Sequence, residues 1–234
     1  MKHLYINQPL RPSAPLQLER TLHRRLTRVL RLKEGQAFAL FNGQDGLFAA
    51  TLTNANDGIA AIGNQLKPQP KPQNTALYLA LTKRDAFDRA IRQATEIGVD
   101  HIYPVQTDFA VPDTLNTERL QTIIQEAAEQ CERLTLPTLH PPQPLKKALE
   151  AANGKIFWAD ETIVKENGLG QWGEHPSTAD DGLLIGPEGG FSVAEKHTLA
   201  THPKVARIGL GAHILRVYTA VAVGLGRFFD HFGV

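Results

Sequence analysis

From residue 77 onward the chain alternates between short apolar runs and longer stretches of helical periodicity, and this alternation limits the possible folds more than any other feature. The apolar runs predict five strands, over 77–82, 101–106, 155–159, 182–185 and 206–210. The periodic stretches predict helices over 86–98, 117–134, 145–152, 193–201 and 215–231. Because strands that alternate with helices form a parallel sheet with helices on both faces, this region is predicted to be α/β.

A proline-rich stretch separates this region from a different pattern nearer the N-terminus. Residues 67–74 contain three prolines and can sustain neither a helix nor a strand ladder. Before them, Asn-Gly and Asp-Gly turn signals separate apolar runs at 37–41, 47–52 and 59–62, which predicts antiparallel hairpins. We therefore predict a small β-barrel over residues 1–70 and a larger α/β domain over residues 71–234.

The formal net charge of +1 conceals an asymmetry between these two regions. Residues 1–76 carry ten Lys and Arg against four Asp and Glu, whereas the remainder carries fifteen against twenty. A periodic stretch over 22–33 predicts a helix with one apolar face and an arginine-rich opposite face, made by Arg24, Arg25, Arg28 and Arg31. Such a helix favours the phosphates of a nucleic acid as ligand, and Lys83 with Arg84 extends the candidate set; a solvated amphipathic helix is the alternative.

Two glycine-containing bends follow predicted strands and indicate a small-molecule site. Gly186, Gly189 and Gly190 lie within five residues after the strand at 182–185, and a second bend spans 210–215. Bends without bulky side chains let backbone N–H and C=O groups approach a ligand directly. Ser192 and Glu195 have the spacing of a helix capping box, so we assign them to helix initiation and exclude them as nucleophile and base.

The sequence lacks the motifs of three common sites: a dinucleotide-binding site, a phosphate-binding loop and a metal site. Gly209 and Gly211 are followed by Ile214 where a dinucleotide fingerprint needs glycine, and no Gly-Lys-Ser/Thr sequence forms a phosphate loop. The nine histidines lack paired ligand spacing, so no metal site is expected. The single cysteine, Cys131, excludes an internal disulfide and is predicted to be a buried small apolar residue of a helix.

Arg216 is the charged residue that we single out for chemistry. It lies at the N-terminal end of the last predicted helix, where a cation interacts unfavourably with the helix dipole. We therefore expect it to serve a function other than helix stability. The alternative is an ion pair with a neighbouring carboxylate such as Glu188.

The chain resembles the bacterial 16S ribosomal RNA uracil-N3 methyltransferases, which belong to the SPOUT class of S-adenosylmethionine (SAM) enzymes. The most specific likeness is residues 185–192, Ile-Gly-Pro-Glu-Gly-Gly-Phe-Ser, with Glu195. Further likenesses are Arg-Val-Leu-Arg at 28–31, Gly35, Phe-Asn-Gly at 41–43, Lys83, Ala-Thr-Glu-Ile-Gly-Val at 94–99, Pro104, Ala-Glu-Gln at 128–130, Arg133 and Pro137.

The resemblance implies a PUA-like RNA-binding barrel, a SPOUT-type parallel sheet with a C-terminal trefoil knot, and a homodimer. It implies methylation of N3 of uridine 1498 in the 16S ribosomal RNA or small subunit. For that reaction our hypothesis is that Arg216 stabilises the deprotonated base, with Glu188 as a second catalytic candidate. Residues implied to bind SAM are Leu81, Ile185, Gly186, Gly189, Gly190, Leu210, Gly211, Ile214 and Leu215. The last helix has more apolar residues than a single buried face requires, which is compatible with a dimer interface or with a fully buried helix. These residues are Val221, Val223, Leu225, Phe228 and Phe229.

The chain also departs from the family's pattern at named positions. His213 and Tyr218 replace an arginine and a glutamate, Arg25 stands where a histidine is common, and Gln93 where a lysine is. These departures leave two alternatives: a methyltransferase acting on another RNA such as transfer RNA, or a non-catalytic RNA-binding factor in ribosome assembly. The N-terminal residues lack a signal-peptide pattern, and no apolar run could span a bilayer, so we expect a cytoplasmic protein.

Overall fold

The structure is a computed structural model that describes residues 1–13, 15–110, 115–166 and 180–232. The chain divides into two compact units. The first contains Met1–Lys71 and Ala128–Leu136, and the second contains Pro72–Ala127 and Pro137–Val234. Residues 128–136 therefore group with the first unit, whereas the sequence analysis placed them within the α/β domain.

The first unit contains a five-stranded sheet in the order β1-β3-β4-β5-β2. Its strands are β1 (His3–Tyr5), β2 (Pro15–Gln17), β3 (Ala37–Phe41), β4 (Leu47–Asn54) and β5 (Ile59–Lys67). The predicted hairpins β3–β4 and β4–β5 are present, but β1 pairs with β3 in parallel, so the sheet is not wholly antiparallel. Strands β1 and β2 were missed because three residues are too few to show a period.

The arginine-rich helix of this unit is shorter than predicted. Helix α1 (Arg20–Arg24) continues as a π-helical turn (Arg25–Val29), and Arg31 has a positive φ of 55°. Leu22 and Leu26 are buried, as the periodicity predicts. Val29, the last residue of the π-helical turn, is 71% exposed, so it does not lie on the buried face that the periodicity predicts.

The second unit contains a seven-stranded sheet in which every described pairing is parallel. The strand order is β12-β10-β11-β6-β7-β8, and β9 also pairs with β7. The strands are β6 (Ala76–Ala80), β7 (His101–Gln106), β8 (Thr138–Leu139), β9 (Gln143–Pro144), β10 (Ile156–Ala159), β11 (Gly182–Ile185) and β12 (Val205–Ile208). The predicted α/β class is confirmed, whereas the trefoil knot stays a prediction.

Among the described residues, five α-helices accompany this sheet. They are α2 (Arg84–Ile97), α3 (Thr117–Gln130), α4 (Leu145–Ala151), α5 (Val193–Thr201) and α6 (Val217–Phe232). Helices α2 and α6 pack against each other, and α6 also contacts β11. Phe157 of β10 packs edge-on against Phe228 of α6, with ring centroids 5.9 Å apart. Within the described residues, no helix is long and apolar enough to cross a membrane.

Candidate active site

Three strands of the second unit end next to one another, and the candidate site lies at their carboxyl ends. Strand β10 pairs in parallel with both β11 and β12, with Trp158 beside Leu184 and Ala159 beside Ile208. Parallel pairing brings the residues that follow each strand to the same edge of the sheet. Asp160, Gly186 and Gly209 therefore begin three neighbouring loops.

The loop after β11 is a tight bend, and side chains at its positions 186 and 190 would collide with neighbouring residues. Gly190 has a φ of +70° and donates its N–H to the carbonyl of Pro187 over 2.9 Å. A Cβ added at Gly190 would lie 2.9 Å from Glu161 Oε1, and one added at Gly186 would lie 2.7 Å from the Phe191 ring. The bend therefore favours glycine at both positions, and three of its residues that line the cleft are glycines, Gly186, Gly189 and Gly190.

The loop after β12 forms the facing wall. Gly211 has a φ of +144°, and α6 starts at Val217 directly after Arg216. Leu210 and Leu215 are half-buried, whereas Ile214 is 68% exposed. An apolar side chain with that exposure at the edge of a cleft offers a surface that a ligand can cover.

The two bends and the end of β10 enclose a cleft of about 470 Å³, within the usual range for small-molecule sites. It brings together seven of the nine residues predicted to bind the cofactor, together with Glu188 and Arg216. The seven are Ile185, Gly186, Gly189, Gly190, Leu210, Ile214 and Leu215. Leu81 is buried just beyond β6 and does not line the cleft, and neither does Gly211.

Sequence reasoning missed two acidic residues on the cleft wall, Asp160 and Glu161. Asp160 is only 3% exposed, and its Oδ1 accepts hydrogen bonds from the N–H and hydroxyl of Thr162, each 2.8 Å long. Its Oδ2 pairs with Arg207 Nε. Glu161 pairs with Lys196 Nζ at 3.1 Å. A carboxylate directly after a buried strand was the available signal, since such a residue lies at the sheet edge where ligands bind.

Hydrogen bonds lower the pKa of Asp160 by more than its burial raises it. Burial alone would raise the pKa of this carboxyl, but the donors from Thr162 and Arg207 hold its pKa below the ordinary value. Asp160 is therefore ionised at neutral pH and fixes the turn that carries Glu161. The side chain acts as an anchor for the cleft wall.

Arg216 and Glu188 both line the cleft and are both exposed. Within the described part of the chain, neither side chain forms an ion pair or hydrogen bond. The alternative of an Arg216–Glu188 ion pair is therefore not found in the structure. An unpaired guanidinium at a cleft keeps its full charge for a ligand.

The predicted capping box is confirmed. Ser192 Oγ accepts the N–H of Glu195 over 3.2 Å, and Glu195 Oε2 accepts the N–H of Ser192 over 2.9 Å. Both side chains are engaged at the start of α5, and neither lines the cleft.

The candidate RNA-binding residues are all exposed, but they differ in their partners. Arg25 pairs with the nearly buried Glu129 at 2.6 Å within the first unit, so its charge is largely compensated. Arg24, Arg28 and Arg31 have no ion pair among the described residues. In the second unit, Lys83 and Arg84 lie at the N-terminal end of α2.

The expectation for the single cysteine is not met. Cys131 is exposed, so the prediction of a buried residue is wrong, because α3 ends at Gln130 and the positive φ of Glu132 turns the chain away. Among the residues that the structure describes, no group of His, Cys, Asp and Glu could hold a metal ion.

Replacing Asp160 by Asn should lower the free energy of unfolding by about 1–3 kcal/mol at pH 7, because the buried carboxylate that pairs with Arg207 becomes a neutral amide. The pKa of Asp160 is lower in the folded chain, so its contribution is present above the unfolded pKa and is lost as the pH falls through the folded value. Chemical denaturation from pH 7 downward should show the wild type and Asp160→Asn converging. A difference that stays constant with pH would contradict the assignment.

Comparisons with known proteins agree with this geometry. A family model described as an RNA methyltransferase domain matches residues 69–228, and one described as an RNA methyltransferase PUA domain matches residues 26–62. Ribosomal RNA small subunit methyltransferase E of Rickettsia conorii is 32% identical over 227 residues, covering 96% of this chain and 93% of that protein. The Synechocystis protein of the same name is 33% identical over 208 residues, covering 86% and 68%.

Solved structures share the whole fold. A Legionella pneumophila structure in complex with bound SAM has a TM-score of 0.85 and 25% identity, covering 98% of this chain and 97% of that one. Ribosomal RNA small subunit methyltransferase E of Neisseria gonorrhoeae has a TM-score of 0.86 at 24% identity, covering 99% and 98%, which supports the fold. Since a family model spans more than half of the chain and a relative matches nearly all of it, the chain belongs to the ribosomal RNA small subunit methyltransferase E family.

Proposed function

We propose that this chain transfers the methyl group of SAM to N3 of uridine 1498 in the 16S ribosomal RNA. The observation that carries the proposal is the cleft at the carboxyl ends of β10, β11 and β12, lined by the glycine bend and Arg216. The name of the relatives and the SAM held by a structural neighbour support it.

The residues of the cleft fit SAM. Ile185, Leu210 and Leu215 offer apolar surface for an adenine ring, and the glycine bend offers backbone groups for hydrogen bonds. SAM also carries a positive sulfonium, and the carboxylate of Glu188, which lines the cleft, offers it a negative charge. Bound SAM supplies an electrophilic methyl carbon.

The chain's own contribution to chemistry is orientation and charge stabilisation. Methyl transfer is an in-line displacement, so a cleft that holds the base in line and excludes water lowers the barrier. Uridine N3 must lose its proton, which leaves negative charge on the ring oxygens. In this proposal Arg216, which has no ion pair among the described residues, stabilises that charge, and Glu188 accepts the proton.

We further propose that the first unit binds the RNA through Arg24, Arg28 and Arg31, and that the protein works in the cytoplasm as a homodimer. The exposure of these arginines and the PUA match support RNA binding. Within the chain, α6 buries Val221, Leu225 and Phe228, which leaves Val223 and Phe229 partly exposed for a partner. Sedimentation analysis tests the homodimer.

The target is tested by mass spectrometry of ribosomal RNA from a deletion strain. Loss of N3-methyluridine at position 1498, restored by the gene on a plasmid, is expected. Unchanged N3-methyluridine together with a missing methyl group in transfer RNA would assign the enzyme to another RNA. Normal methylation of all RNA, with no SAM binding in calorimetry, would favour a non-catalytic assembly factor.

Replacing Arg216 by Ala should lower the single-turnover rate of methyl transfer about 10²–10³-fold, because the developing anion loses its cation. The affinities for SAM and RNA should change much less, and Arg216→Lys should recover part of the rate. Rapid-quench assays with saturating SAM and RNA measure this. A rate near wild type with normal RNA binding would contradict the role of Arg216.

Gly190→Ala should weaken SAM binding at least about tenfold, because a Cβ at φ +70° is strained and would lie 2.9 Å from Glu161 Oε1. Gly226→Ala is the matched control, since Gly226 lies in α6 with open space around it. Isothermal calorimetry measures both. Equal affinities for the two variants would show that the bend does not bind SAM.

Arg24→Ala should reduce the slope of log affinity for RNA against log salt concentration by about one, because one phosphate contact is lost. Arg25→Gln serves as the comparison and should change the slope less, since Glu129 already compensates that charge. Fluorescence anisotropy with labelled RNA at several salt concentrations measures the slopes. A larger effect for Arg25 would contradict this ranking.

A further inference from the structure

A short turn after β7 is fastened to the start of α5. Asp108 donates its backbone N–H to Glu195 Oε1 over 2.9 Å, and Ser192 Oγ donates to Asp108 Oδ2 over 2.5 Å. The turn itself closes with a 3.0 Å hydrogen bond from the Ala110 N–H to the Thr107 carbonyl. The capping residues therefore hold both the helix and this turn.

The turn presents Phe109 to solvent beside the glycine bend. The side chain is 55% exposed, although burying a phenyl ring would be favourable. A Cβ added at Gly189 would lie 3.3 Å from Phe109 Cβ, so the missing side chain at Gly189 makes room for Phe109. Gly189 itself lines the cleft, which places Phe109 next to it.

The conformation of Gly189 strengthens this interpretation. Its φ is not positive, in contrast to Gly190 and Gly211, so the backbone shape does not demand glycine there. Because Gly189 has no side chain, Phe109 can pack close to its backbone. A hydrogen-bonded turn thus carries the Phe109 ring near the cleft, and 55% of this side chain is exposed to solvent.

We propose that Phe109 stacks on a nucleobase of the RNA substrate beside the cleft, a proposal that rests on the function proposed above. A base that is methylated in a cleft must leave its own stack, which removes favourable contacts with its neighbours. An exposed aromatic side chain replaces such contacts, and stacking accepts any base because every base has an aromatic face. Phe109 would receive the flipped uridine or its unstacked neighbour.

Asp108, Ser192 and Glu195 act here as positioning residues. They do not line the cleft, but the two hydrogen bonds to Asp108 fix the turn that carries the ring. A ring that is fixed before binding loses less conformational entropy when the base arrives. In this proposal Ser192 and Glu195 have a second role besides starting α5, because they also hold the turn that carries Phe109.

The test compares Phe109→Ala, Phe109→Leu and Phe109→Trp in methyl-transfer assays with 16S RNA. We expect KM for RNA to rise about tenfold in the Ala and Leu variants and to stay near wild type in the Trp variant. The Kd for SAM should be unchanged in all three. A Leu variant that behaves like the wild type would overturn the proposal, because any apolar side chain would then suffice.

The supporting residues are tested separately. Asp108→Ala should raise KM for RNA by a smaller factor than Phe109→Ala and leave the rate at saturating RNA near wild type. Asp108→Asn keeps an oxygen acceptor for Ser192 Oγ and should recover the wild-type KM. Equal defects in both Asp108 variants, with normal thermal stability, would contradict the positioning role.

Two controls separate this proposal from others. Sedimentation of Phe109→Ala at the assay concentration should match the wild type, and a shift toward monomer would show that a second copy of the chain covers the ring, which overturns the proposal. If the wild type methylates no RNA, the proposed function fails. Anisotropy with a labelled RNA hairpin still compares the Phe109 variants in that event, and equal affinities would overturn the stacking proposal as well.

Discussion

The parallel pairing of β10 with both of its neighbours is the constraint on which the site depends. A parallel ladder aligns strand ends, so Ala159 beside Ile208 and Trp158 beside Leu184 bring three loops to one edge. A residue's distance along the chain then matters little: Asp160, Gly186 and Arg216 line one cleft although many residues separate them. A change in the pairing register of β10 would move the three loops apart, and the cleft would be lost even if every residue that lines it were unchanged.

The cleft has two kinds of wall, one made of backbone and one made of polar side chains, and each requires different residue types. Its backbone wall needs small residues, since Gly186 and Gly190 each have a neighbour within 3 Å of where a Cβ would be. Its polar wall needs side chains with fixed partners, as Asp160 has with Thr162 and Arg207. Arg216 is the exception, because it lines the cleft with no partner among the described residues. Asp160 is therefore held by partners within the protein, whereas the guanidinium of Arg216 has none among the described residues.

The periodicity of the sequence predicts most elements of the second unit, because buried strands such as β11 and amphipathic helices such as α2 have clear patterns. It fails where an element is too short to show a period, as for β1, or where a helix ends early, as at Arg31. The glycine bend was visible because glycine clusters are unusual after a strand. Asp160 and Glu161 were not singled out, since their importance comes from the pairing of β10 and leaves no local pattern. Phe109 was missed for the same reason, as its place follows from contacts with Ser192 and Glu195 that are distant in sequence.

Tyr218 shows how a departure from the family's pattern changes the charge of this region. Arg89 of α2 lies over the Tyr218 ring, with its guanidinium carbon 5.4 Å from the ring centroid. A glutamate at this position would compensate the charge of Arg89, whereas an aromatic ring attracts the cation and leaves its net charge intact. Tyr218 directly follows Val217, which lines the cleft with Arg216. Tyr218 therefore joins α6 to α2 without neutralising the charge of Arg89.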